Sequence, residues 1–204
     1  MASGKTRQQP AQGRPTGARR ADPRVDRSRQ AVLSAAFELL GESGVGGFSV
    51  DEVARRSGVA KTTIYRHWPT RAALVLDACS QLSDEQQTPD TGSLAGDLDA
   101  ILTNIAHLLQ TANWSSVLPS IVDVAERDAE FAAVHSEIQL GHAAPLRTAL
   151  GRAVERGELP ADSDLSTIAA TLVGPLFYRR WFSREPIDAS FVAAVISHVT
   201  AQRS

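Results

Sequence analysis

Residues 49–68 hold two short helical segments separated by one glycine, and this spacing restricts the fold more than any other part of the sequence. Ser49, followed three residues later by Glu52, predicts a capping box at the start of the first helix. Gly58 can adopt the left-handed conformation that ends a helix sharply. Pro69 ends the second helix because it excludes the α conformation from the residue before it. The spacing therefore predicts a helix-turn-helix unit.

The second of these helices, residues 61–68, is predicted to bury one stripe and to expose the opposite face. Ile64 and Trp68 are four residues apart and lie on the same side of a helix. The polar side chains along the outward face and its edges are Lys61, Thr62, Thr63, Tyr65, Arg66 and His67. All of them can donate a hydrogen bond and none is acidic, which favours a surface that reads a polyanion. A polar, solvated helix in a small bundle remains the alternative at this point.

The formal net charge of −2 conceals an uneven distribution along the chain. Residues 1–78 contain 13 basic and 7 acidic side chains, whereas residues 79–204 contain 8 and 16. A basic first part joined to an acidic second part predicts a polyanion-binding module attached to a second domain. Chance clustering of charge in a tail would produce the same numbers.

Composition indicates the fold class and the compartment. Ala, Leu and Arg, which favour helices, are plentiful, and this predicts an all-α fold. Cys79 is the only cysteine, so no internal disulfide can form and a reducing compartment is expected. No apolar run approaches the roughly 20 residues that span a bilayer, and the basic N-terminus lacks an apolar core behind it. We therefore expect a cytoplasmic protein that has no contact with a membrane.

Three regions are expected along the chain. Residues 1–24 are predicted to be a flexible basic arm in which Arg19, Arg20 and Arg24 lie close enough to the folded body to contact DNA phosphates or a minor groove. The helix-turn-helix domain is predicted over 25–83 and a helical domain over 84–204, with about nine helices in total. The predicted helices cover 26–41, 49–57, 61–68, a stretch that begins after Thr70, 94–109, 114–126 with a kink or break at Pro119, 131–156 interrupted by Gly141 and Pro145, 165–182 and 189–200.

The segment 27–82 resembles the DNA-binding domain of the TetR (TetR/AcrR) family of transcription regulators. The resemblance rests on RQAVLSAAFELLGESG and on FSVDEVARRSGVAKTTIYRHWPTRAAL, whose specific part runs from Ser49 to Leu74. Further along, GPLFYRRWF resembles the penultimate helix of some members. The resemblance implies a sequence-specific regulator, a repressor that a small-molecule ligand releases from a palindromic DNA operator. An activator and a DNA-binding protein that has no ligand are the alternatives.

The resemblance also implies roles for individual side chains. Thr62 and Arg66 would reach base edges in the major groove, where a bidentate Arg–guanine contact contributes about 1–3 kcal/mol of discrimination. The side chains implied to touch phosphates are Thr63, Tyr65 and His67 on the recognition helix, with Ser49 and Arg71 at the starts of the flanking helices. Ala60 departs from the family pattern, because members often carry Ser or Thr there and a hydroxyl would cap the recognition helix.

The C-terminal domain is predicted to bind a ligand and to form a homodimer through the last two helices. Residues 165–182 are apolar nearly all round, which indicates burial on several sides; a central core helix in a monomer is the alternative. The candidate ligand-contacting side chains are His107, Trp114, Phe131, His135 and Tyr178. Ordinary core packing explains each of them better than a ligand contact does.

Catalytic and metal chemistry are not predicted. The sequence lacks G-x-S-x-G and H-E-x-x-H, and its histidines do not form a cluster with carboxylates or with Cys79 at metal-ligand spacing. We expect no cofactor, no metal and no catalytic residue. An all-α enzyme and a protein-interaction module are the other two classes that the sequence leaves open.

Overall fold

The structure is a computed structural model that describes residues 23–84 and 88–201, without the side chains of residues 23, 81–84 and 112–114. The described residues form nine α-helices and one π-helical segment, which confirms the predicted all-α class. Their bounds are α1 Pro23–Gly47, α2 Val50–Ser57, α3 Lys61–His67, α4 Arg71–Asp84, α5 Leu94–Gln110, α6 Ala112–Ala125, α7 Ala129–Glu155, α8 Leu165–Tyr178, the π-helical segment Arg179–Ser183 and α9 Ala189–Ala201.

Helix α1 is longer than predicted at both ends. It includes Pro23 and Arg24, which were assigned to the arm, and proline is well tolerated in a first helical turn. The rest of the predicted arm, with Arg19 and Arg20, lies outside the described residues. The predicted end at Gly41 lies three residues before Gly44, where φ 63° and ψ −176° break the helix, and a second helical stretch beyond this kink reaches Gly47.

Most of the predicted helix ends are confirmed around the helix-turn-helix. Gly58 has φ 68°, and Trp68 is extended in front of Pro69. Thr70 Oγ1 accepts a hydrogen bond from the Ala73 amide at 3.1 Å, as a capping residue should. The predicted capping box is wrong, because the Ser49 side chain makes no cap hydrogen bond.

Two prolines at which the sequence predicts a kink or break, Pro119 and Pro145, lie inside continuous helices. Helix α6 is continuous through Pro119, and α7 is continuous through both Gly141 and Pro145. A proline inside a helix costs about 3 kcal/mol. The buried face of α7, which includes Val134, Ile138, Leu146 and Leu150, offsets this cost by packing against several other helices. The helix predicted to reach Phe182 instead becomes π-helical after Tyr178.

The buried apolar side chains divide into two core clusters. The first core cluster contains residues of α1–α4 together with Val117, Leu118 and Ile121 of α6 and the first part of α7 as far as Ile138. The second core cluster contains residues of α5, the later part of α7, α8 and α9. Phe177 packs against both clusters, as does Trp181. Helices α1–α4 therefore share one core with α6, which follows the domain boundary predicted near residue 84.

Candidate nucleic-acid interface and ligand cavity

Helix α3 exposes the polar face that its sequence predicts. Ile64 and Trp68 are buried, with 1% and 5% of their surface exposed, and anchor the helix to the first core cluster. Lys61, Thr62, Tyr65, Arg66 and His67 are exposed, and Thr63 is half-buried. The exposed face thus carries only hydrogen-bond donors and two fixed positive charges, which is the chemistry that major-groove edges and phosphates accept.

Thr63 and His67 face a crevice between α3 and the start of α1. Arg24 and Ser28 of α1 line the same crevice. This arrangement brings an arginine of α1 next to two recognition-helix side chains whose implied partners are phosphates. Arg24 is the one arginine of the three singled out near the folded body that lies within the described residues.

Asp77 of α4 connects its own helix to α1 and to the end of α3. Its Oδ2 accepts a hydrogen bond from Trp68 Nε1 at 2.8 Å and another from Arg29 Nη2 of α1 at 2.7 Å. Because Trp68 ends α3, these bonds orient the recognition helix relative to α1 and α4. Sequence reasoning missed Asp77; its signal is an acidic residue at a partly buried position of an otherwise apolar helix face.

Glu52 stabilises α2 through arginines and not through a capping box. Its carboxylate accepts bonds from Arg55 Nη2 at 2.6 Å and from Arg56 Nε at 2.8 Å, and Arg56 also pairs with Glu42 of α1. The hydrogen bonds from Arg55 and then Arg56 lower the pKa of Glu52 to about 2. The charged partners therefore hold this carboxylate away from the backbone amide that the capping box requires.

An acidic side chain lies beside the proposed DNA-facing surface. Asp51 Oδ1 is 2.6 Å from Lys61 Nζ, and this ion pair raises the pKa of Lys61. Lys61 Nζ also lies 5.9 Å from the centre of the Tyr65 ring. Before Lys61 can contact a phosphate, it must either break its ion pair with Asp51 or bind Asp51 and the phosphate together.

Arg71 does not point outward as its implied phosphate role requires. It is half-buried, and its Nη2 donates to the carbonyl of Val45 in the last turn of α1. Its guanidinium lies 6.0 Å from the Phe48 ring centre and 5.4 Å from that of Phe131 on α7. The structure therefore gives Arg71 a packing role between α1, α4 and α7. Ser49, the other predicted phosphate contact outside α3, is half-buried beside the start of α2.

The C-terminal domain contains a cavity of about 230 Å³ between α5, α6, α7 and α8. Two polar side chains, Gln139 and His142 of α7, contribute to its wall. The rest of the lining is apolar and consists of Ile105, Leu108, Leu109, Leu118, Ala143, Leu146, Ala169, Val173 and Phe177. Because Leu118 belongs to the first core cluster and Leu146 to the second, the cavity lies where the two clusters meet.

The predicted ligand-contacting residues lie elsewhere. His107 and Tyr178 are exposed, and Phe131 is buried beneath Arg71. His135 is half-buried and bonded to Gln139 of the cavity wall at 3.3 Å. None of these four lines the cavity; the side chain of Trp114 lies outside the described residues. Periodicity marks a buried face but does not tell which buried positions leave a space between helices.

The end of α8 carries an exposed aromatic pair. Tyr178 and Phe182 are 59% and 76% exposed, and their rings stack with centroids 5.8 Å apart. The apolar face of α9, including Val192, Val195 and Ile196, is buried in the second core cluster of the same chain. The outward face of α9 consists instead of small and polar side chains, such as Ala194.

The part of the chain that the structure describes contains neither a metal-ligating group nor a reactive thiol. No group of three His, Cys, Asp or Glu side chains is placed to hold a metal ion among residues 23–84 and 88–201. Burial raises the pKa of the Cys79 thiol to about 12, so it is unreactive as a nucleophile. None of the described helices is both long and apolar enough to span a membrane.

Two family models match the chain. Residues 32–78 match bacterial regulatory proteins of the tetR family, and residues 88–199 match the tetracyclin repressor-like C-terminal domain.

Individual relatives cover most of the chain. The HTH-type transcriptional regulator YdeS of Bacillus subtilis is 31% identical over 87% of this chain and 90% of its own length. The DNA-binding transcriptional repressor TetR of Mycobacteroides abscessus is 31% identical over 83% and 90%, respectively. The crystal structure of the TetR family transcription regulator SCO0332 superposes with a TM-score of 0.72 at 31% identity, covering 87% of this chain and 98% of that one.

Proposed function

Because the chain belongs to the TetR family of bacterial regulatory proteins, we propose that it is a dimeric repressor that a small molecule releases from a palindromic operator. It is a helix-turn-helix transcription regulator. The proposal concerns the sign of regulation, the residues that contact DNA, the dimer surface and the ligand. Its setting would be the cytoplasm, where DNA is accessible.

The observation that carries the proposal is the exposed face of α3. Arg66 would make a bidentate contact with a guanine edge, and Thr62 would contact a neighbouring base. Lys61, Thr63, Tyr65 and His67 would hold the phosphates on either side and position the helix without reading sequence. We omit Arg71 from this surface, because its guanidinium is directed to Val45 and two aromatic rings.

A second copy would pack against α8 and α9. The exposed aromatic pair Tyr178 and Phe182 lies at one end of that surface. Small exposed side chains such as Gly174 and Ala194 permit close approach of helices. Two copies would present two α3 helices to half-sites about 34 Å apart.

Helix α6 offers the connection between ligand and DNA. Leu118 of α6 lines the cavity, while Ser116 and Ser120 of the same helix bond to α1. Ser116 Oγ donates to the Gly41 carbonyl at 3.2 Å, and Ser120 Oγ accepts from the Val45 amide at 3.1 Å. A ligand that displaces α6 would therefore move the end of α1 and the Val45 carbonyl that Arg71 holds. Only a difference in ligand affinity between the DNA-competent and the released arrangement can shift the population.

The test is selection of bound fragments from random duplex DNA by the purified chain, followed by titration on the enriched site. We expect a palindromic site, and we expect Arg66→Ala to weaken binding about 10- to 100-fold and to relax preference at one position of each half-site. Arg147→Ala, which removes an exposed arginine from α7, is the matched control and should bind like the parent. Absence of an enriched palindrome, or equal losses in both variants, would contradict the proposal.

The dimer surface is tested separately by sedimentation. Phe182→Glu places a charge in the proposed interface and should shift the chain towards monomer. Leu140→Glu changes a side chain of similar exposure, 57%, on α7 and should leave the dimer intact. A dimer that survives Phe182→Glu but not Leu140→Glu would place the interface on α7.

A further inference from the structure

The size of the C-terminal cavity limits what can enter it. Its volume of about 230 Å³ lies somewhat below the range of roughly 300–1,000 Å³ that is common for ligand pockets. An apolar cavity of about 150 Å³ accommodates benzene. A compact molecule of one or two rings therefore suits this cavity.

The charge of the lining limits the ligand further. None of the eleven lining side chains is Asp, Glu, Lys or Arg. An ionised group that enters such a site loses its hydration without gaining a countercharge, which is strongly unfavourable. The one titratable lining group is His142, and its pKa is lowered by burial, so the imidazole is neutral at pH 7 and supplies no countercharge either.

The side-chain amide of Gln139, one of the two polar groups in the cavity wall, makes a hydrogen bond whose donor and acceptor can be assigned. Gln139 Nε2 lies 3.3 Å from His135 Nε2. An amide nitrogen can only donate, so His135 accepts this bond through its unprotonated ring nitrogen. This bond uses Nε2 and not Oε1, so it does not occupy the acceptor of a side chain that lines the cavity. His135 thus contacts a side chain that lines the cavity without lining the cavity itself.

Resting on the function proposed above, we propose that the cavity binds uncharged, compact aromatic molecules that carry one hydroxyl or N–H donor, which bonds to Gln139 Oε1. The apolar walls from α5, α6 and α8 enclose the rings, and α7 supplies the polar contact. Cations and carboxylates of the same shape are excluded.

The test compares four probes of one shape by calorimetric titration of the full chain: naphthol, naphthalene, naphthoate and naphthylmethylammonium, the last two being charged at pH 7. Naphthol should bind about tenfold more tightly than naphthalene, the difference that one net hydrogen bond supplies. The two charged probes should bind at least a hundredfold more weakly than naphthol.

Two variants assign the binding to this cavity. Gln139→Leu should keep the affinity for naphthalene and erase the tenfold preference for naphthol, which also shows that the variant is folded. Val173→Trp fills the cavity and should abolish both, whereas Leu140→Trp places the same indole on the exposed side of α7 and should change neither.

Three results would overturn the inference. These are binding of a charged probe as tight as that of naphthol, a naphthol preference that survives Gln139→Leu, and no binding of any neutral probe. DNA titration of the same samples separates this inference from the proposed regulator function. A chain that binds its selected site but none of the probes remains a regulator without this ligand class, whereas a chain that binds the probes without any DNA preference contradicts the regulator and keeps the cavity.

Discussion

The polar surface of α3 comes from a single helix of seven residues, whereas the cavity is lined by side chains from four helices. In α3, about two turns of helix carry all the functional groups, and the buried Ile64 and Trp68 only hold the helix in place. In the cavity, neighbours such as Leu118 and Val173 are 55 positions apart in the chain. The DNA-facing surface is therefore a local property of the sequence, and the cavity is a property of helix packing.

The two core clusters differ in the same way. The first includes residues from every helix of the DNA-binding unit and also from α6 and part of α7. The second consists only of residues beyond 93, which lie on α5, α7, α8 and α9 and at Leu159 and Ile187 between helices. A substitution in the first core cluster should consequently lower both the stability of the chain and its DNA affinity. A substitution in the second core cluster should lower the stability and leave the DNA affinity of the folded protein unchanged.

The largest expected effect tests this difference between clusters. Trp68→Ala removes a buried indole and should lower the free energy of unfolding by about 3–5 kcal/mol, with DNA affinity lost in the fraction that remains folded. Leu98→Ala in the second core cluster should cost about 2–5 kcal/mol and leave the DNA affinity of the folded protein unchanged. Urea unfolding, followed by the circular dichroism of the helices, measures the free energy of unfolding of each variant. DNA titration at low temperature measures the affinity of the folded protein. Equal loss of DNA binding in both variants would show that the clusters act as one.

A smaller effect is expected where Asp77 holds the recognition helix. Asp77→Ala removes the acceptor of the Trp68 and Arg29 bonds and should destabilise the chain by about 1–3 kcal/mol, with about tenfold weaker DNA binding because α3 loses its fixed orientation. Asp77→Asn keeps one acceptor oxygen, so its stability and its DNA affinity should lie between those of the parent and those of the alanine variant. If Trp68→Phe, which cannot donate this bond, binds DNA as the parent does, the orienting role of Asp77 is wrong.

The start of α3 allows a change in the opposite direction. Ala60 occupies the cap position and provides no side-chain hydrogen bond. Ala60→Ser should stabilise the chain by about 1 kcal/mol through a capping hydrogen bond and raise DNA affinity modestly at every site. Ala133→Ser, on an exposed face of α7, is the control. An altered sequence preference in Ala60→Ser would mean that position 60 reads bases.

The smallest effect is a pH dependence in the α2 network. The pKa of Glu52 is about 2 in the folded chain, below its ordinary value of 4.5, because Arg55 and Arg56 donate to its carboxylate. A depressed folded pKa contributes stability above the unfolded pKa, and this contribution disappears as the pH falls through the folded pKa. The stability difference between the parent and Glu52→Gln should thus be constant above about pH 5 and shrink towards pH 2. Chemical unfolding at several pH values checks this, with Glu137→Gln of α7, which lies outside the network, as the control.

Local rules were sufficient around the helix-turn-helix. The outward face of α3, the stop at Gly58 and the extended residue before Pro69 depend on helical periodicity and on the allowed conformations of glycine and proline. Those preferences act within a few residues and can be recognised in the sequence alone. The predicted capping box at Ser49 is wrong on both sides: the Ser49 side chain makes no cap hydrogen bond, and the Glu52 carboxylate pairs with Arg55 and Arg56, a contact between side chains that the motif does not include.

The amino-acid sequence by itself determined the helical class, the helix-turn-helix and the polar face of α3, because each depends on interactions between residues close along the chain. Only the tertiary structure decided that α7 runs unbroken through Pro145, that Arg71 turns inward to Val45, and that Gln139 and not Tyr178 borders the cavity. These outcomes depend on which helices meet and how closely. The burial of apolar area between distant segments, at about 25 cal/mol per Å², then outweighs local preference.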